Sequence, residues 1–155
     1  MRSNNVVLPV SETAVMVDPF RRQSNAVTIK VPEGAILIID DNFAIREVLT
    51  DILTLLLGMT VYTAVNGYEG LQIFQQRQQQ IALIILDIEM PVMNGPQTYE
   101  KLQQIAPQVK VIVSSSLSKV EARFRFRERE MPTYLQKPYD TEDLLNIVQA
   151  ELAMA

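Results

Sequence analysis

The stretch ALIILDIEMPVMNG, residues 82–95, decides the fold. It contains an apolar run typical of a buried strand, and a single carboxylate follows that run directly. Five apolar residues run directly into Asp87, and a loop containing Pro91 and Gly95 follows. An ionised carboxylate at the edge of a core is costly unless a cation or a hydrogen-bond donor compensates it. Asp87 therefore predicts a polar site at the end of this strand, and other parts of the chain should supply its partners.

The rest of the sequence repeats this strand pattern and separates the strands with helices. Short apolar or β-branched runs indicate strands, and apolar residues at helical spacing indicate helices. The predicted strands are residues 35–39, 61–65, 81–86, 109–114 and 133–136, and the predicted helices are residues 43–57, 67–79, 96–105, 118–130 and 141–152. Strands that are apolar throughout are typical of a sheet covered on both faces, and helical crossovers make such a sheet parallel. We therefore predict an α/β fold with helices on both sides of a parallel sheet.

Composition narrows the function classes before any motif is considered. The chain has 155 residues, no cysteine, no histidine and a net charge of −4. These absences exclude disulfides, Cys- or His-ligated metals, Ser-His-Asp hydrolysis and an internal phosphohistidine. A negative net charge without a basic block argues against nucleic-acid binding. No apolar run approaches the roughly 20 residues of a membrane-spanning helix, and the N-terminus does not resemble a signal peptide, so we expect a cytoplasmic protein.

Residues 1–33 differ from the regular domain predicted for residues 34–155. Their short apolar pieces are separated by prolines and polar residues. One interpretation is a flexible or loosely docked N-terminal extension. The other is an extra strand or a dimer-forming segment, because residues 28–31, TIKV, are strand-like. The sequence leaves both interpretations open.

Polar side chains follow four of the predicted strands. Asp40 and Asp41 come after the first, Asp87 after the third, Ser115 after the fourth and Lys137 after the fifth. Each residue alone would be read as a cap or a turn, but the carboxyl ends of parallel strands share one edge, where ligands bind. Clustered carboxylates repel each other unless a cation intervenes, and oxygen-only ligands suit Mg²⁺. Such a site predicts phosphoryl chemistry, with Asp87 as the nucleophile.

Four separated pieces of the chain resemble the receiver domain of bacterial two-component response regulators, in particular the chemotaxis-type single-domain proteins. These pieces are ILIIDDN, LDIEMPVMNG, VIVSSS and YLQKPYDTEDLL. The resemblance covers Ala35 to about Leu152. It implies a flavodoxin-like fold, in which a doubly wound, five-stranded parallel sheet of order 2-1-3-4-5 is covered by five helices. It also implies a signalling protein that catalyses its own phosphorylation from a histidine kinase and its own dephosphorylation.

The resemblance implies a role for each residue of the acidic site. Asp87 matches the phosphoacceptor, and Lys137 matches the lysine that contacts the phosphoryl group. Asp40 and Asp41 match the acidic pair that holds Mg²⁺, together with Asp87 itself. The backbone carbonyl of Glu89 would be a further metal ligand.

The resemblance also implies a conformational switch. Phosphorylated Asp87 would give Ser115 an acceptor to move towards, and Tyr134 would turn into the space that Ser115 leaves. Among the three consecutive serines we prefer Ser115, because it shares a strand face with Val111 and Val113 and because its spacing back from Lys137 fits the family.

Several loop positions either match the family pattern or depart from it. Gly95 matches the loop glycine, and the family often has a cis peptide before the equivalent of Pro138. Pro96 replaces an apolar residue, although proline is tolerated in the first turn of a helix. Ser116 replaces a smaller residue, and the side chain of Glu89 would project beside the acceptor and could screen it from water. No departure removes a catalytic group.

The expected partners follow from the resemblance. We expect no effector domain, a histidine kinase or phosphotransfer protein as phosphodonor, and a downstream protein target that binds the face formed by helix 4, strand 5 and helix 5. The protein would be a monomer or a weak homodimer. On helix 4, Val120 and Phe124 form an i,i+4 pair that we expect to face the sheet. Phe126 is then expected to be exposed, either as a solvated residue or as a docking residue.

Two other functions are compatible with parts of this pattern. A phosphatase of the haloacid dehalogenase type also uses Mg²⁺ and an aspartyl nucleophile, but it would need a second aspartate where the chain has Glu89. The alternative function is a phosphate-independent, receiver-like protein-interaction module. The complete set of Asp40, Asp41, Asp87 and Lys137 argues against that alternative.

Overall fold

The computed structural model describes residues 33–127 and 130–154, in which five strands alternate with five helices. The expectations for the N-terminal extension therefore fall on residues outside this range. The strands are β1 Ala35–Ile39, β2 Thr60–Ala64, β3 Ile81–Leu86, β4 Lys110–Ser115 and β5 Thr133–Gln136, and the helices are α1 Phe43–Leu57, α2 Gly67–Arg77, α3 Gly95–Ile105, α4 Lys119–Arg125 and α5 Thr141–Ala153. No helix within the described ranges is long and apolar enough to cross a membrane.

The strands form one parallel sheet of order β2-β1-β3-β4-β5, which confirms the predicted fold class. Alternate residues of β1 enter different core layers, as the two-residue period of a strand requires. Leu37 and Ile39 pack in the layer that contains buried residues of α2, α3 and α4, whereas Ile36 and Ile38 pack in the layer of α1 and α5. Burial on both faces explains why the central strands are apolar throughout.

Polar caps set where the helices begin. The side chains of the N-cap residues each accept a hydrogen bond from the backbone amide three residues on, and these residues are Asn42, Asn66, Asn94, Ser118 and Asp140. Such a cap contributes about 1 kcal/mol to the stability of its helix. Pro96 lies in the first turn of α3, where its missing amide costs no intrahelical bond.

Helix α4 is shorter than expected and presents a different face to the sheet. It spans Lys119–Arg125 rather than residues 118–130. Val120 and Phe124 are 64% and 74% exposed, whereas Phe126 is only 3% exposed. The expectation that Val120 and Phe124 face the sheet and that Phe126 is exposed was therefore wrong.

The reason is that a different i,i+4 pair faces the core. Ala122 is fully buried, and Phe126 follows it by four residues, so the two share one helix face. Ala122 and Phe126 both belong to the core layer that contains buried residues of α2 and α3. The Phe126 ring meets Tyr99 of α3 edge-on, with centroids 5.7 Å apart and an interplanar angle of 69°. Phe126 is therefore a core residue that attaches the end of α4 to α3.

Candidate functional site

The acidic residues meet at the carboxyl edge of the sheet because backbone hydrogen bonds join the ends of neighbouring strands. The Asp87 amide donates to the carbonyl of Ile39 over 2.9 Å, and the Asp40 amide donates to the carbonyl of Ala64 over 3.1 Å. Carboxylate oxygens of Asp40, Asp41 and Asp87 lie within 4.8 Å of one another. Asp40 and Asp87 are buried and Asp41 is exposed, so the cluster has one open side.

Lys137 reaches this cluster from the end of β5. Its Nζ lies 2.8 Å from Asp40 Oδ2 and 3.5 Å from Asp87 Oδ1. Its backbone amide donates to the carbonyl of Ser115 over 2.8 Å, which fixes the lysine beside β4. The Lys137–Pro138 peptide bond is cis, as the resemblance implied. Burial alone would lower the pKa of Lys137, but its hydrogen bond to Asp40 and the charge on Asp87 raise that pKa above its ordinary value.

The electrostatics of the cluster favour an added cation. Burial raises the pKa of Asp87 to about 6, Lys137 opposes this shift, and the charge on Asp40 adds to it. Asp40 also accepts a hydrogen bond from the amide of Asn42 over 2.8 Å. Three ionised carboxylates against one ammonium group leave an excess of two negative charges, which matches a divalent ion in magnitude. The donor set consists of oxygen atoms, which are the ligands that Mg²⁺ prefers.

The serines that follow β4 occupy two different environments. Ser115 is 1% exposed, and its hydroxyl accepts a hydrogen bond from the amide of Leu117 over 3.3 Å. The half-buried Tyr134 places its hydroxyl 3.2 Å from the carbonyl of Ser115, and the same hydroxyl also donates to the carbonyl of Leu117. Ser114 instead lies 3.3 Å from the hydroxyl of Tyr139. Ser115 is thus placed next to both Lys137 and Tyr134.

Two residues near the site were not found from the sequence. Arg125 of α4 lies 3.5 Å from the carboxylate of Glu89, in an exposed ion pair beside the acidic cluster. This pair borders an open cleft of about 980 Å³ that also includes Asp41. No motif links two residues so far apart in sequence, so only the fold reveals the contact. Tyr139 could have been suspected, because it directly follows the Lys-Pro pair.

Gly95 is required where the loop after Asp87 turns into α3. Its amide donates to the carbonyl of Ile88 over 2.9 Å. A Cβ atom at this position would lie 2.4 Å from the carbonyl oxygen of Asp87 and 2.8 Å from the Cα atom of Ile88. Both contacts are with backbone, which cannot move aside as a flexible side chain would.

Gly95→Ala is therefore expected to lower the free energy of unfolding by about 1 to 3 kcal/mol, which is the usual cost of forced overpacking. Urea denaturation followed by circular dichroism measures this change. Gln104→Ala, an exposed alanine substitution on the same helix, is the matched control and should stay within about 0.5 kcal/mol of the wild type. Equal stability of the two variants would contradict the steric argument.

Comparisons with known sequences agree with this geometry. The profile of the response regulator receiver domain matches residues 36–149. A protein-glutamate methylesterase/protein-glutamine glutaminase of Paramagnetospirillum magneticum is 38% identical over 70% of this chain and 29% of its own length. The probable C4-dicarboxylate response regulator DctR of Bacillus subtilis is 32% identical over 71% of this chain and 48% of its own length. The chain thus spans less than half of these two relatives. It spans 86% of the chemotaxis protein CheY of Treponema pallidum, at 28% identity over 78% of this chain.

Solved structures give the same result for the fold. A response regulator receiver domain protein from Clostridium thermocellum superposes with a TM-score of 0.71 at 26% identity, over 78% of this chain and 95% of that one. A chain of the CheX-CheY-BeF3-Mg complex of Borrelia burgdorferi superposes with a TM-score of 0.69 at 27% identity, over 76% of this chain and 87% of that one. With the sequence match over residues 36–149, the chain belongs to the response regulator receiver domain family.

Proposed function

We propose that this receiver domain accepts a phosphoryl group on Asp87 in a Mg²⁺-dependent reaction and signals by a conformational switch to a partner protein. The observation that carries this proposal is the convergence of three carboxylates with Lys137, whose Nζ lies between Asp40 and Asp87 at 2.8 Å and 3.5 Å. A histidine kinase or a phosphotransfer protein would be the phosphodonor, as the family implies.

The residues present fit Mg²⁺ as the cofactor. Asp40, Asp41 and Asp87 would hold the ion with the backbone carbonyl of Glu89, and the two excess negative charges of the cluster would be balanced. When bound, the ion supplies positive charge to the oxygens of the transferring phosphoryl group. It would also lower the pKa of Asp87, which keeps that carboxylate ionised.

The residues of the chain divide the chemical work between them. An oxygen of Asp87 attacks the phosphorus, and the bond from phosphorus to the donor atom breaks, so the electron pair of that bond leaves with the donor. The ammonium group of Lys137 is already 3.5 Å from an Asp87 oxygen and would pair with a phosphoryl oxygen after transfer. Asp40 positions that ammonium group through the 2.8 Å contact.

The switch would involve Ser115 and Tyr134. Ser115 is buried at the end of β4, and the Tyr134 hydroxyl is hydrogen-bonded to the carbonyls of Ser115 and Leu117. A movement of Ser115 towards a phosphoryl group on Asp87 would therefore change the surroundings of Tyr134. The consequence would be read by a downstream protein on the face formed by α4, β5 and α5. The cytoplasmic location and the monomer or weak-homodimer state remain predictions.

Intact mass spectrometry after incubation with Mg²⁺ and acetyl phosphate tests the proposal. We expect a single phosphoryl adduct that EDTA prevents. Because rapid hydrolysis could hide an adduct, thermal denaturation with Mg²⁺ and beryllium fluoride provides a second measurement, in which we expect a rise in melting temperature that depends on Mg²⁺. If no adduct forms and the melting temperature does not rise in a Mg²⁺-dependent way, the proposal is overturned. That result would favour the phosphate-independent interaction module.

A further inference from the structure

Two helices of the domain carry exposed apolar faces that the phosphoryl chemistry does not use. On α1, Val48 and Leu55 are 56% and 79% exposed, and the half-buried Ile52 lies between them. On α4, Val120 and Phe124 are exposed to a similar extent. Apolar residues that share one exposed helix face mark an interaction site more often than an isolated exposed residue does.

The two faces have the same spacing of residues and opposite charges. Helix α1 contains EVLTDI at residues 47–52, and α4 contains KVEARF at residues 119–124. In both segments an apolar residue stands at the second and sixth positions, and a charged residue stands at the first and fifth. Positions four residues apart lie one above the other on a helix, so each helix has a charged strip beside its apolar strip. The charged strip is acidic on α1 and basic on α4.

The charges of both strips are available for a contact with another molecule. Glu47 and Asp51 on α1 are exposed, as are Lys119 and Arg123 on α4. None of these four residues forms an ion pair with another residue that the structure describes.

The residue of opposite charge within each segment or next to it is engaged elsewhere. Arg46 of α1 donates a hydrogen bond to the carbonyl of Asp40 over 2.8 Å. Glu121 of α4 accepts a hydrogen bond from the amide of Ser118 over 2.8 Å, as part of the helix cap. The outer face of α1 therefore combines apolar and acidic groups, and the outer face of α4 combines apolar and basic groups.

Charge complementarity fixes how two such faces would meet. When two helices with the same pattern face each other antiparallel, the charged strip of one lies along the charged strip of the other. Glu47 would then meet Arg123, and Asp51 would meet Lys119. Each strip spans about 6 Å along its helix axis, so both pairs are in register. Two α1 helices in this arrangement would place acid against acid, and two α4 helices would place base against base, which is unfavourable.

We propose that the protein associates with further copies of itself, with α1 of one copy packed antiparallel on α4 of the next. Buried residues of α1 and α4 belong to different core layers, on opposite faces of the sheet, so one copy can use both surfaces at once. A contact between unlike surfaces is heterologous, and it continues into rings or open chains instead of ending at a symmetric dimer. A downstream protein that binds α4 would compete with this contact. The proposal does not depend on phosphorylation of Asp87.

Sedimentation velocity of the full chain over a range of concentrations tests the association. We expect the weight-average mass to rise with concentration beyond the mass of two chains. High salt should reduce this rise, because the charged strips are exposed to solvent. A protein that remains monomeric at every concentration would overturn the proposal.

Two blocked variants identify the surfaces. Val48→Gln with Leu55→Gln blocks α1, and Val120→Gln with Phe124→Gln blocks α4. All four positions are exposed and glutamine is a good helix former, so both variants should keep their fold. Each variant alone should be monomeric, and an equimolar mixture should form a one-to-one complex that grows no further. A monomeric mixture would overturn the proposal, and so would a variant that dimerises alone, because like surfaces would then be pairing.

A charge exchange tests the antiparallel arrangement. Glu47→Lys and Arg123→Glu should each weaken the association by about fivefold at low salt, and the two substitutions together should restore it. The matched control combines Glu47→Lys with Lys119→Glu, which changes the total charge in the same way but makes both expected pairs repulsive. This control should associate more weakly than Glu47→Lys alone. Restored association in the control, without restoration in the first combination, would overturn the antiparallel packing.

Discussion

Asp87→Asn is expected to abolish the Mg²⁺-dependent phosphoryl adduct and, without metal, to raise the free energy of unfolding at pH 7. The two effects have one origin. Asparagine keeps the size of the side chain but provides no carboxylate oxygen to attack phosphorus. It also removes a negative charge from a position that is only 8% exposed, next to Asp40 and Asp41. The charge that makes Asp87 a nucleophile thus lowers the stability of the empty site.

The direction of the pH dependence follows from the pKa of Asp87. Burial raises that pKa from 3.8 to about 6, so between these values the folded protein binds a proton that the unfolded chain releases. Stability therefore falls as the pH rises from about 4 to about 6 and stays lower above this range. A shift of two pKa units would correspond to nearly 3 kcal/mol, but partial exposure of the carboxylate to solvent reduces this value. We expect a stabilisation of about 1 to 2 kcal/mol in Asp87→Asn at pH 7.

Denaturation in urea with EDTA, at pH 4.5 and pH 7, measures this difference. The gain in Asp87→Asn should be large at pH 7 and small at pH 4.5, and saturating Mg²⁺ should reduce it because the ion compensates the charge in the wild type. Asp51→Asn, the same substitution at an exposed position of α1, is the matched control and should have little effect at either pH. A variant less stable than the wild type at pH 7 in EDTA would show that the Asp87 carboxylate stabilises the fold.

The sheet and the edge at which the polar residues meet were predictable, because both follow from the repeated alternation of apolar strands and helices along the chain. Each central strand is buried on both faces, so its residues are apolar without alternation, and this pattern is visible in residues 35–39 and 81–86. The positions of Asp40, Asp87 and Lys137 at strand ends follow from the parallel topology alone. The distances between these side chains, including the 2.8 Å contact between Lys137 and Asp40, could be obtained only from the structure.

The side that helix α4 turns towards the core was not predictable in the same way. This helix has only seven residues, so no long apolar stripe fixes which side faces the sheet. Val120 and Phe124 form a larger apolar pair than Ala122 and Phe126, and a rule based on side-chain size therefore chooses the wrong face. Ala122 and Phe126 nevertheless form the buried side, because the Phe126 ring packs against Tyr99 of α3. The contact of Arg125 with Glu89 depends on this orientation and was hidden for the same reason.

Phe126 is a residue for which the sequence and the structure give opposite expectations. Phe126 is 3% exposed and its ring packs edge-on against Tyr99, so Phe126→Ala removes a buried aromatic side chain and an aromatic pair. Substitutions of this kind cost about 3 to 5 kcal/mol in well-packed cores. Phe126 lies at the end of α4 and borders the open cleft, where water can partly refill the space, so we expect a loss of about 2 to 4 kcal/mol.

Phe124→Ala provides the matched control, since the same residue type is replaced two positions away on the same helix. Phe124 is 74% exposed, so its removal should change the free energy of unfolding by no more than about 0.5 kcal/mol. Urea denaturation of the two variants measures the contrast directly. If Phe126→Ala were as stable as the wild type and Phe124→Ala were strongly destabilised, α4 would present the face expected from the sequence. A loss confined to Phe126→Ala means that the end of α4 is held by its contact with α3, and that an exposed aromatic contact for a partner on this helix has to come from Phe124.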